Sequence, residues 1–207
     1  MRKVLLVLSF AIWVGGCAIG NTQRHDLGDA SLDLETEHTV AVSVVDHRPY
    51  IVDGDKDPSF VGLMRAAFGN PWDVTTGSER PLAQDMTTSI VDSMKQKDID
   101  AVAVVVPHSS DNAAARQELL ITDADRYVLL VLQEWKSDTY INTAFIYNAT
   151  LEVLGPTGVP LAEKTLSGRD NLGAAAVPAD ARIDVENAVR QKIEEMLNDP
   201  EIVAALD

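Results

Sequence analysis

The chain has 207 residues, and its 17 lysines and arginines stand against 32 aspartates and glutamates, for a formal net charge of −15 at pH 7. A surface this negative repels phosphate backbones, so the sequence excludes nucleic acid as an expected partner. It also repels anionic lipid headgroups, so we expect any membrane attachment to depend on something other than the charge of the folded domain.

The first sixteen residues follow the pattern of a secretory leader. Met1, Arg2 and Lys3 give a positive start, and Val4 to Val14 form an apolar run. As a helix this run would extend about 17 Å, whereas a bilayer core is about 30 Å thick, so it is too short for a comfortable span. With the small residues Gly15 and Gly16 after it, the pattern predicts a signal peptide over residues 1–16.

Cys17 follows directly and is the only cysteine of the chain. The stretch VGGC at 14–17 resembles the lipobox of bacterial lipoproteins. That resemblance implies cleavage between Gly16 and Cys17, a diacylglyceryl group on the sulfur and an acyl chain such as palmitate on the new N-terminus. Several acyl chains anchor a protein stably, whereas one does so only marginally. Ala18, in place of aspartate, implies sorting to the outer membrane. The alternative is a plain signal peptide with a chance cysteine or a buried structural thiol.

Residues 17–36 are polar and lack sustained periodicity, so we expect the lipidated cysteine and a flexible tether there. Residues 37–207 are expected to form a single periplasmic domain. With Cys17 acylated no disulfide can form, and the domain must fold on its hydrophobic core alone. About 170 residues are enough for that, since a chain of this size buries roughly 70% of its unfolded surface.

The first half of this domain shows one strand and one helix clearly. His38 to Val45 is rich in β-branched residues and predicts a strand. Apolar residues recur every four positions between Pro81 and Lys97, which predicts an amphipathic helix. The run from Ala101 to Pro107 predicts a strand buried on both faces. Between them, FVGLMRAAFG at 60–69 suggests one or two helical turns, and NPWDVTTGS at 70–78 suggests a loop.

The second half predicts a short helix, three strands and a long helix. The three strands follow one another with a GPTG turn before the last, so we expect an antiparallel meander. A further short helix restarts at Pro200. The ranges are Asn112–Leu120 for the short helix, Tyr127–Trp135, Ile141–Val153 and Val159–Ser167 for the strands, and Ala179–Asn198 for the long helix. The predicted fold class is α/β (α+β): a single mixed, mainly antiparallel sheet with two main helices packed on one face.

Several of these segments together resemble the YajG-like group of bacterial lipoproteins. They are the VGGC site, VVDHRP at 44–49, the helix LAQDMTTSIVDSMKQK, the strand YVLLVLQEW and the C-terminal DVENAVRQKIEEMLNDPEIVAAL. The resemblance implies an outer-membrane lipoprotein that faces the periplasm. It supplies no catalytic residues.

Candidate polar sites are few. Asp46, His47 and Arg48 lie where a strand passes into a loop, a common position for functional residues. An Asp–Arg pair there could equally fasten the loop to the sheet. Asp53, Asp55 and Asp57 alternate as in calcium loops, but the EF-hand pattern fails at Pro58 and Met64, which favours a solvated acidic turn. No motif predicts a catalytic nucleophile, a metal site or a cofactor.

The segment at 60–72 carries more large apolar residues than a loop needs. They are Phe60, Leu63, Met64, Phe68 and Trp72, with Trp135 and Tyr140 as possible neighbours. Either this segment folds onto the core, or part of it is an exposed patch for a partner.

The expected function is therefore a non-catalytic binding or assembly module, tethered to the cell envelope through Cys17 and recognising an envelope protein. Two alternatives stay open. One is a periplasmic hydrolase that uses Asp46 with His47, which would need an acid–base pair in a pocket. The other is a carrier of a small ligand, which would need a preformed apolar pocket.

Overall fold

The computed structural model describes residues 24–25, 27–65, 70–107, 111–174 and 178–207. The predicted signal peptide, Gly16, Cys17 and Phe68 lie outside these residues. The strands are β1 (Arg24–His25), β2 (Val40–Asp46), β3 (Phe60–Arg65), β4 (Pro71–Thr76), β5 (Ala101–Ala103), β6 (Arg126–Thr139), β7 (Asn142–Leu154) and β8 (Pro160–Ala174). The helices are α1 (Pro49–Val52), α2 (Leu82–Lys95), α3 (Asn112–Ile121), α4 (Pro178–Leu197) and α5 (Pro200–Leu206).

The long strand β6 is the centre of one mixed sheet. It pairs antiparallel with β7, from Tyr127 opposite Leu154 to Thr139 opposite Thr143. β7 pairs antiparallel with β8 in turn. The β7–β8 connection is a tight turn in which Gly158 donates to the Gly155 carbonyl and adopts a positive φ of 76°, which glycine tolerates without strain. The predicted meander is confirmed.

The other edge of β6 is shared by two strands in succession. β2 lies parallel to its first half, with Val40 opposite Arg126 and Asp46 opposite Leu132. β3 lies parallel to its last residues, with Gly62 opposite Ser137. β5 flanks β2, whereas β4 and then β1 flank β3, giving the order β1-β4-β3-β6-β2-β5. Between the end of β2 and the start of the β3 pairing there is thus an interval along this edge of β6 that neither strand occupies.

The core lies on both faces of the sheet because strand side chains alternate in direction. Val40, Val42 and Val44 of β2 belong to the larger cluster, with α2, α4 and α5. Ala41 and Val45 belong to a smaller cluster with α3. The α+β class with one mixed sheet is confirmed, and α3 adds a helix on the second face.

The two main helices follow their predicted stripes. Leu82, Met86, Ile90 and Met94 of α2 are all buried. Val185, Val189, Ile193, Met196 and Leu197 of α4 are buried likewise. Each such side chain contributes about 1.5–3 kcal/mol through removal from water, so these faces hold the helices on the sheet. No helix among the described residues is both long and apolar enough to cross a membrane.

The prediction of a flexible tether over residues 17–36 is wrong for residues 27–36. Ala30, Leu32 and Leu34 are buried in the main cluster. Ser31 donates its backbone N–H to Glu194 Oε1 at 2.8 Å, and Asp33 donates to Asn198 Oδ1 at 2.9 Å. Polar side chains at and just after the C-terminal end of α4 thus satisfy the backbone, while alternate apolar residues enter the core. The folded domain therefore includes residues 27–36.

The prediction for residues 60–78 is also wrong. Instead of a helical turn and a loop, β3 and β4 form an antiparallel pair, with Met64 opposite Trp72. β3 is held by β6, a strand more than seventy positions later in the chain. This distant pairing decides the conformation, and a pattern of six residues cannot reveal it.

The strand predicted over Ala101–Pro107 is shorter and less buried than expected. Only Ala101–Ala103 pair with β2, and Val102 and Val105 are exposed. Nothing among the described residues pairs with the outer edge of β5, because it ends its side of the sheet. The valine-rich run therefore forms an edge strand here and not a central strand.

Candidate functional site

Arg48 fills the interval between β2 and β3. Its Nη1 donates to the carbonyl oxygen of Phe60 at 2.6 Å and to that of Trp135 at 2.9 Å. Phe60 begins β3 and Trp135 lies on β6, so one guanidinium joins two strands where the ladder is interrupted. The Arg48 side chain is fully buried.

Asp46 balances this buried charge from the end of β2. Arg48 Nε donates to Asp46 Oδ1 at 2.8 Å, and Nη2 donates to Oδ2 at 2.7 Å. This is a bidentate pair, the strongest arrangement of arginine and carboxylate. Both oxygens of Asp46 therefore accept from Arg48, which fixes the position of the carboxylate. The interpretation of this pair as a fastening of loop to sheet is the one that the geometry favours.

His47 is half-buried between these two residues, and its backbone N–H donates to the Leu132 carbonyl at 2.8 Å. This bond continues the pairing of β2 with β6 by one residue. The chain then turns into α1, whose short helix starts at Pro49. The backbone position of His47 is thus set by the sheet.

Tyr50 and Glu134 hold α1 over the same interval. The Tyr50 hydroxyl donates to Glu134 Oε1 at 2.6 Å, and Lys136 Nζ donates to Glu134 Oε2 at 3.0 Å. Tyr50 also contacts Phe60 edge-to-face, with ring centroids 5.4 Å apart. Burial raises the pKa of the Tyr50 hydroxyl well above its ordinary value, so this group stays protonated. The surroundings of Arg48 are those of a structural joint.

The acidic turn at 53–57 is closed by its own hydrogen bonds. Ser59 donates to Asp57 Oδ1 from its hydroxyl at 2.6 Å and from its backbone at 2.8 Å, and these bonds lower the pKa of Asp57. Lys56 pairs with Asp73 at 2.6 Å. In the described ranges, no three or more histidine, cysteine or acidic side chains form a group able to hold a metal ion.

The apolar residues predicted as an interaction patch divide between core and surface. Phe60 and Trp135 are buried, so they were wrong as surface candidates. Leu63 and Met64 are half-buried, and Met64 packs against the main core cluster. Trp72 remains 47% exposed and Tyr140 48% exposed. Only part of the predicted patch therefore meets solvent.

Ile141 joins these two exposed aromatic residues and is 72% exposed. The sequence pattern placed it on the inward face of a strand because it continues the alternation of β7. In the structure it lies in the turn before β7, where Tyr140 donates its N–H to the Asn142 carbonyl at 3.0 Å. The turn residues Asn142 and Tyr140 were the only local signal. We call Trp72, Tyr140 and Ile141 the exposed end of the sheet.

Two clefts of the surface are candidates for a ligand site. One, of about 170 Å³, is mostly apolar and is lined by residues of β2, α2 and the segment after β5, among them Val44, Thr87 and Val106. The other, of about 890 Å³, lies beside α5 and carries Asp33, Glu35, Asp98 and Asp207. Ligand pockets typically enclose about 300–1,000 Å³ with mostly apolar walls. The first is too small and the second too acidic to fit that description.

Comparisons with known proteins support the fold. No protein-family model and no curated protein sequence matches the chain. Among solved structures, the DUF330 protein XCC0632 from Xanthomonas campestris aligns with a TM-score of 0.53 and 15% identity, over 88% of this chain and 93% of that one. At this identity the similarity shows a shared fold and nothing further.

Two further matches are weaker. A dodecameric PelC variant from Paraburkholderia phytofirmans aligns with a TM-score of 0.40 and 10% identity, covering 86% of this chain and 91% of its own. Lipoprotein GNA1162 from Neisseria meningitidis aligns at 0.30 and 13% identity, covering 76% and 98%. The matched structures thus include a lipoprotein, but similarity at these scores carries no argument for this chain. Membership of the YajG-like group stays a prediction.

Proposed function

We propose that this chain is a lipid-anchored cell-envelope protein, held at the periplasmic face of the outer membrane through acylated Cys17. The observation that carries the proposal is the order of features at the N-terminus: a positive start, an apolar run of eleven residues and then Gly15, Gly16 and Cys17. A leader of this length is too short to span and ends at a residue that can take lipid. The folded domain begins close behind it, since β1 starts at Arg24.

The domain itself is proposed to be a non-catalytic binding or assembly module that contacts another envelope protein. The bidentate pairing of Asp46 with Arg48 supports this, because it engages both oxygens of the carboxylate on which the hydrolase alternative depends and gives the pair a structural role. The small volume of the apolar cleft argues against the carrier alternative. No second function is favoured by a specific contact.

The anchor is tested with two single substitutions expressed as full chains in a bacterial host. Cys17→Ser removes the sulfur that takes lipid, so we expect the leader to remain uncleaved and the protein to be absent from the outer membrane. A Cys17→Ser protein that stays in the membrane and loses its leader as the parent does would contradict the proposal. Ala18→Asp is the matched variant: it preserves the sulfur, so the protein should remain membrane-bound but move from the outer to the inner membrane.

The binding role is tested by photo-crosslinking in intact cells from exposed positions such as Val105, Ile121 and Val159. We expect the parent chain to capture the same envelope protein in repeated experiments. The Cys17→Ser chain, which cannot be lipidated and sorted to the outer membrane, serves as the control and should not capture it. No capture above that control from any position would argue against an assembly module.

A further inference from the structure

The exposed end of the sheet gathers apolar side chains from neighbouring strands. Met64 of β3 lies opposite Trp72 of β4 and also beside Thr139 of β6, and Tyr140 and Ile141 follow Thr139 directly. Since adjacent strands are about 4.8 Å apart, the backbones at Trp72 and Thr139 are separated by about 10 Å. Tryptophan and tyrosine are enriched where a protein meets the headgroup region of a bilayer, because one part of the ring is apolar and the other can hydrogen-bond to water.

The position of β1 allows Cys17 to reach this same end. β1 runs parallel to β4 with Arg24 opposite Thr75, so the chain enters β1 from the side of Pro71 and Trp72. Trp72 lies three residues from Thr75, or about 10 Å along the strand. The seven residues from Cys17 to Arg24 can span at most about 25 Å. The exposed end is well within that reach.

The opposite end of the sheet is outside this reach. Arg24 is level with Phe60, because both lie opposite Thr75, and the β3–β6 register places Phe60 near the level of Trp135. From Trp135 back to Arg126, at the start of β6, the strand extends about 30 Å. A membrane in contact with that opposite end would therefore lie farther from Arg24 than a fully extended chain can reach.

Charge does not oppose the contact at the exposed end. Neither the stretch at 70–72 nor the stretch at 140–143 contains a charged residue. The nearest charges are neutralised locally, Arg65 by Asp138 at 3.1 Å and Asp73 by Lys56 at 2.6 Å. In a chain with a net charge of −15 this is a surface that a lipid headgroup layer does not repel.

We infer that the exposed end of the sheet rests on the lipid bilayer, with Trp72, Tyr140 and Ile141 in the headgroup region. The inference rests on the proposed anchor at Cys17. The anchor supplies the affinity, and the exposed end sets the orientation of the domain. The β7–β8 turn and α3 then point away from the membrane.

The first test uses the intrinsic fluorescence of tryptophan. The chain after residue 16 contains only Trp72 and Trp135, and Trp135 is buried in the core. The lipidated full chain is purified from membranes and reconstituted into phosphatidylcholine vesicles that contain acyl-brominated phosphatidylcholine, which quenches tryptophan within the bilayer. We expect quenching in the parent protein and its loss in Trp72→Phe, in which only Trp135 emits.

The second test compares two ends of one strand pair with a fluorescent thiol label. Cys17 is the only native cysteine, so Ile141→Cys and Val159→Cys each introduce a single free thiol in the acylated protein. Both positions are strongly exposed, at 72% and 58%, and they lie about 40 Å apart along β7. An environment-sensitive label should shift to the blue and be quenched by the brominated lipid at 141 and show neither effect at 159.

The outcomes separate the two proposals. Vesicle-bound protein in which brominated lipid fails to quench Trp72, or in which the labels at 141 and 159 respond equally, overturns the orientation and leaves the anchor standing. The orientation is also overturned if protein shields Trp72, so that neither brominated lipid nor an aqueous quencher reaches it. Protein that does not associate with vesicles at all overturns the anchor, and the orientation with it.

Discussion

Arg48 has the most consequential environment of any single residue in the domain. Its guanidinium touches β2 through Asp46, β3 through the Phe60 carbonyl and β6 through the Trp135 carbonyl. Two strands that follow one another along β6 leave backbone groups without ladder partners between them, and a buried polar group without a partner costs about 1–3 kcal/mol. The arginine supplies donors at that place, and the aspartate compensates its charge.

The first prediction concerns this pair. Arg48→Met leaves the Asp46 carboxylate buried without a partner, so we expect the free energy of unfolding to fall by about 3–5 kcal/mol. Urea denaturation of the mature chain in a Cys17→Ser background measures it. In the double variant Asp46→Asn, Arg48→Met, the free energy of unfolding should fall by less than the sum of the losses in the two single variants. The reason is that the double variant leaves no unpaired buried charge. A loss below about 1 kcal/mol for Arg48→Met would contradict the role given to the pair.

At the scale of elements, length and periodicity decide what the sequence reveals. α2, α4, β6 and β7 each repeat one pattern over thirteen or more residues, and all four were predicted near their observed positions. β3 and β4 have six residues each, and their strand character comes from distant partners. Gly62 illustrates this: a Cβ there would lie 2.8 Å from the Ser137 carbonyl oxygen, so the close approach of β3 to β6 requires glycine.

The segment 27–36 was missed for a related reason. Leu32 and Leu34 alternate with acidic residues in a stretch that is otherwise polar, and three apolar residues give too short a pattern to predict. For the candidate site, the sequence left two alternatives open: a structural pair and a catalytic group. The residues Asp46 and Arg48 were identified, but whether they fasten or catalyse depends on which carbonyl groups surround them.

The second prediction tests whether 27–36 is part of the fold. Leu32→Ala removes a fully buried side chain, so we expect a loss of about 2–5 kcal/mol in the free energy of unfolding. Glu35→Ala, three residues later and exposed, is the control and should change it by less than about 0.5 kcal/mol. If residues 27–36 were a flexible tether, neither substitution would change the free energy of unfolding. Equal urea midpoints for both variants and the parent would therefore contradict the prediction.

The third prediction concerns the start of α5. Asp199 caps this helix by accepting from the Glu201 N–H at 3.0 Å, and its other oxygen accepts from Lys164 Nζ at 2.6 Å. The bond to Lys164 and the cap lower the pKa of Asp199 below its value in the unfolded chain. A carboxylate with a lowered pKa stabilises the fold above the unfolded pKa of about 3.9 and loses that effect as pH falls through the folded pKa.

Asp199→Ala should therefore lower the urea midpoint at pH 7, and the difference from the parent should narrow as the pH falls below 4. Asp199→Asn is the matched variant: asparagine can cap the helix but carries no charge for Lys164, so its midpoint should lie between the other two. A difference between parent and Asp199→Ala that stayed constant into acid would show that the ionised carboxylate is not the stabilising species.

The whole molecule is an α+β domain, and we infer that the proposed anchor at Cys17 gives it one orientation at a membrane. Its first described strand is seven residues from Cys17 and starts about 10 Å along the sheet from the exposed end, while the acidic cleft lies beside α5. A domain of this charge would not approach an anionic surface by itself. The lipid attachment that we propose resolves that conflict, and the orientation that we infer leaves the β7–β8 turn and α3 free for the proposed partner.

Acylation of Cys17 is measured by intact mass spectrometry of the full chain purified from membranes. We expect one mature species that begins at residue 17 and is heavier than its sequence by a diacylglyceryl group and one N-linked acyl chain. The Ala18→Asp protein should show the same added mass, because its cysteine is intact. A mature protein with the unmodified mass of any sequence-derived chain, whether cut at Gly16 or uncut, would contradict the claim.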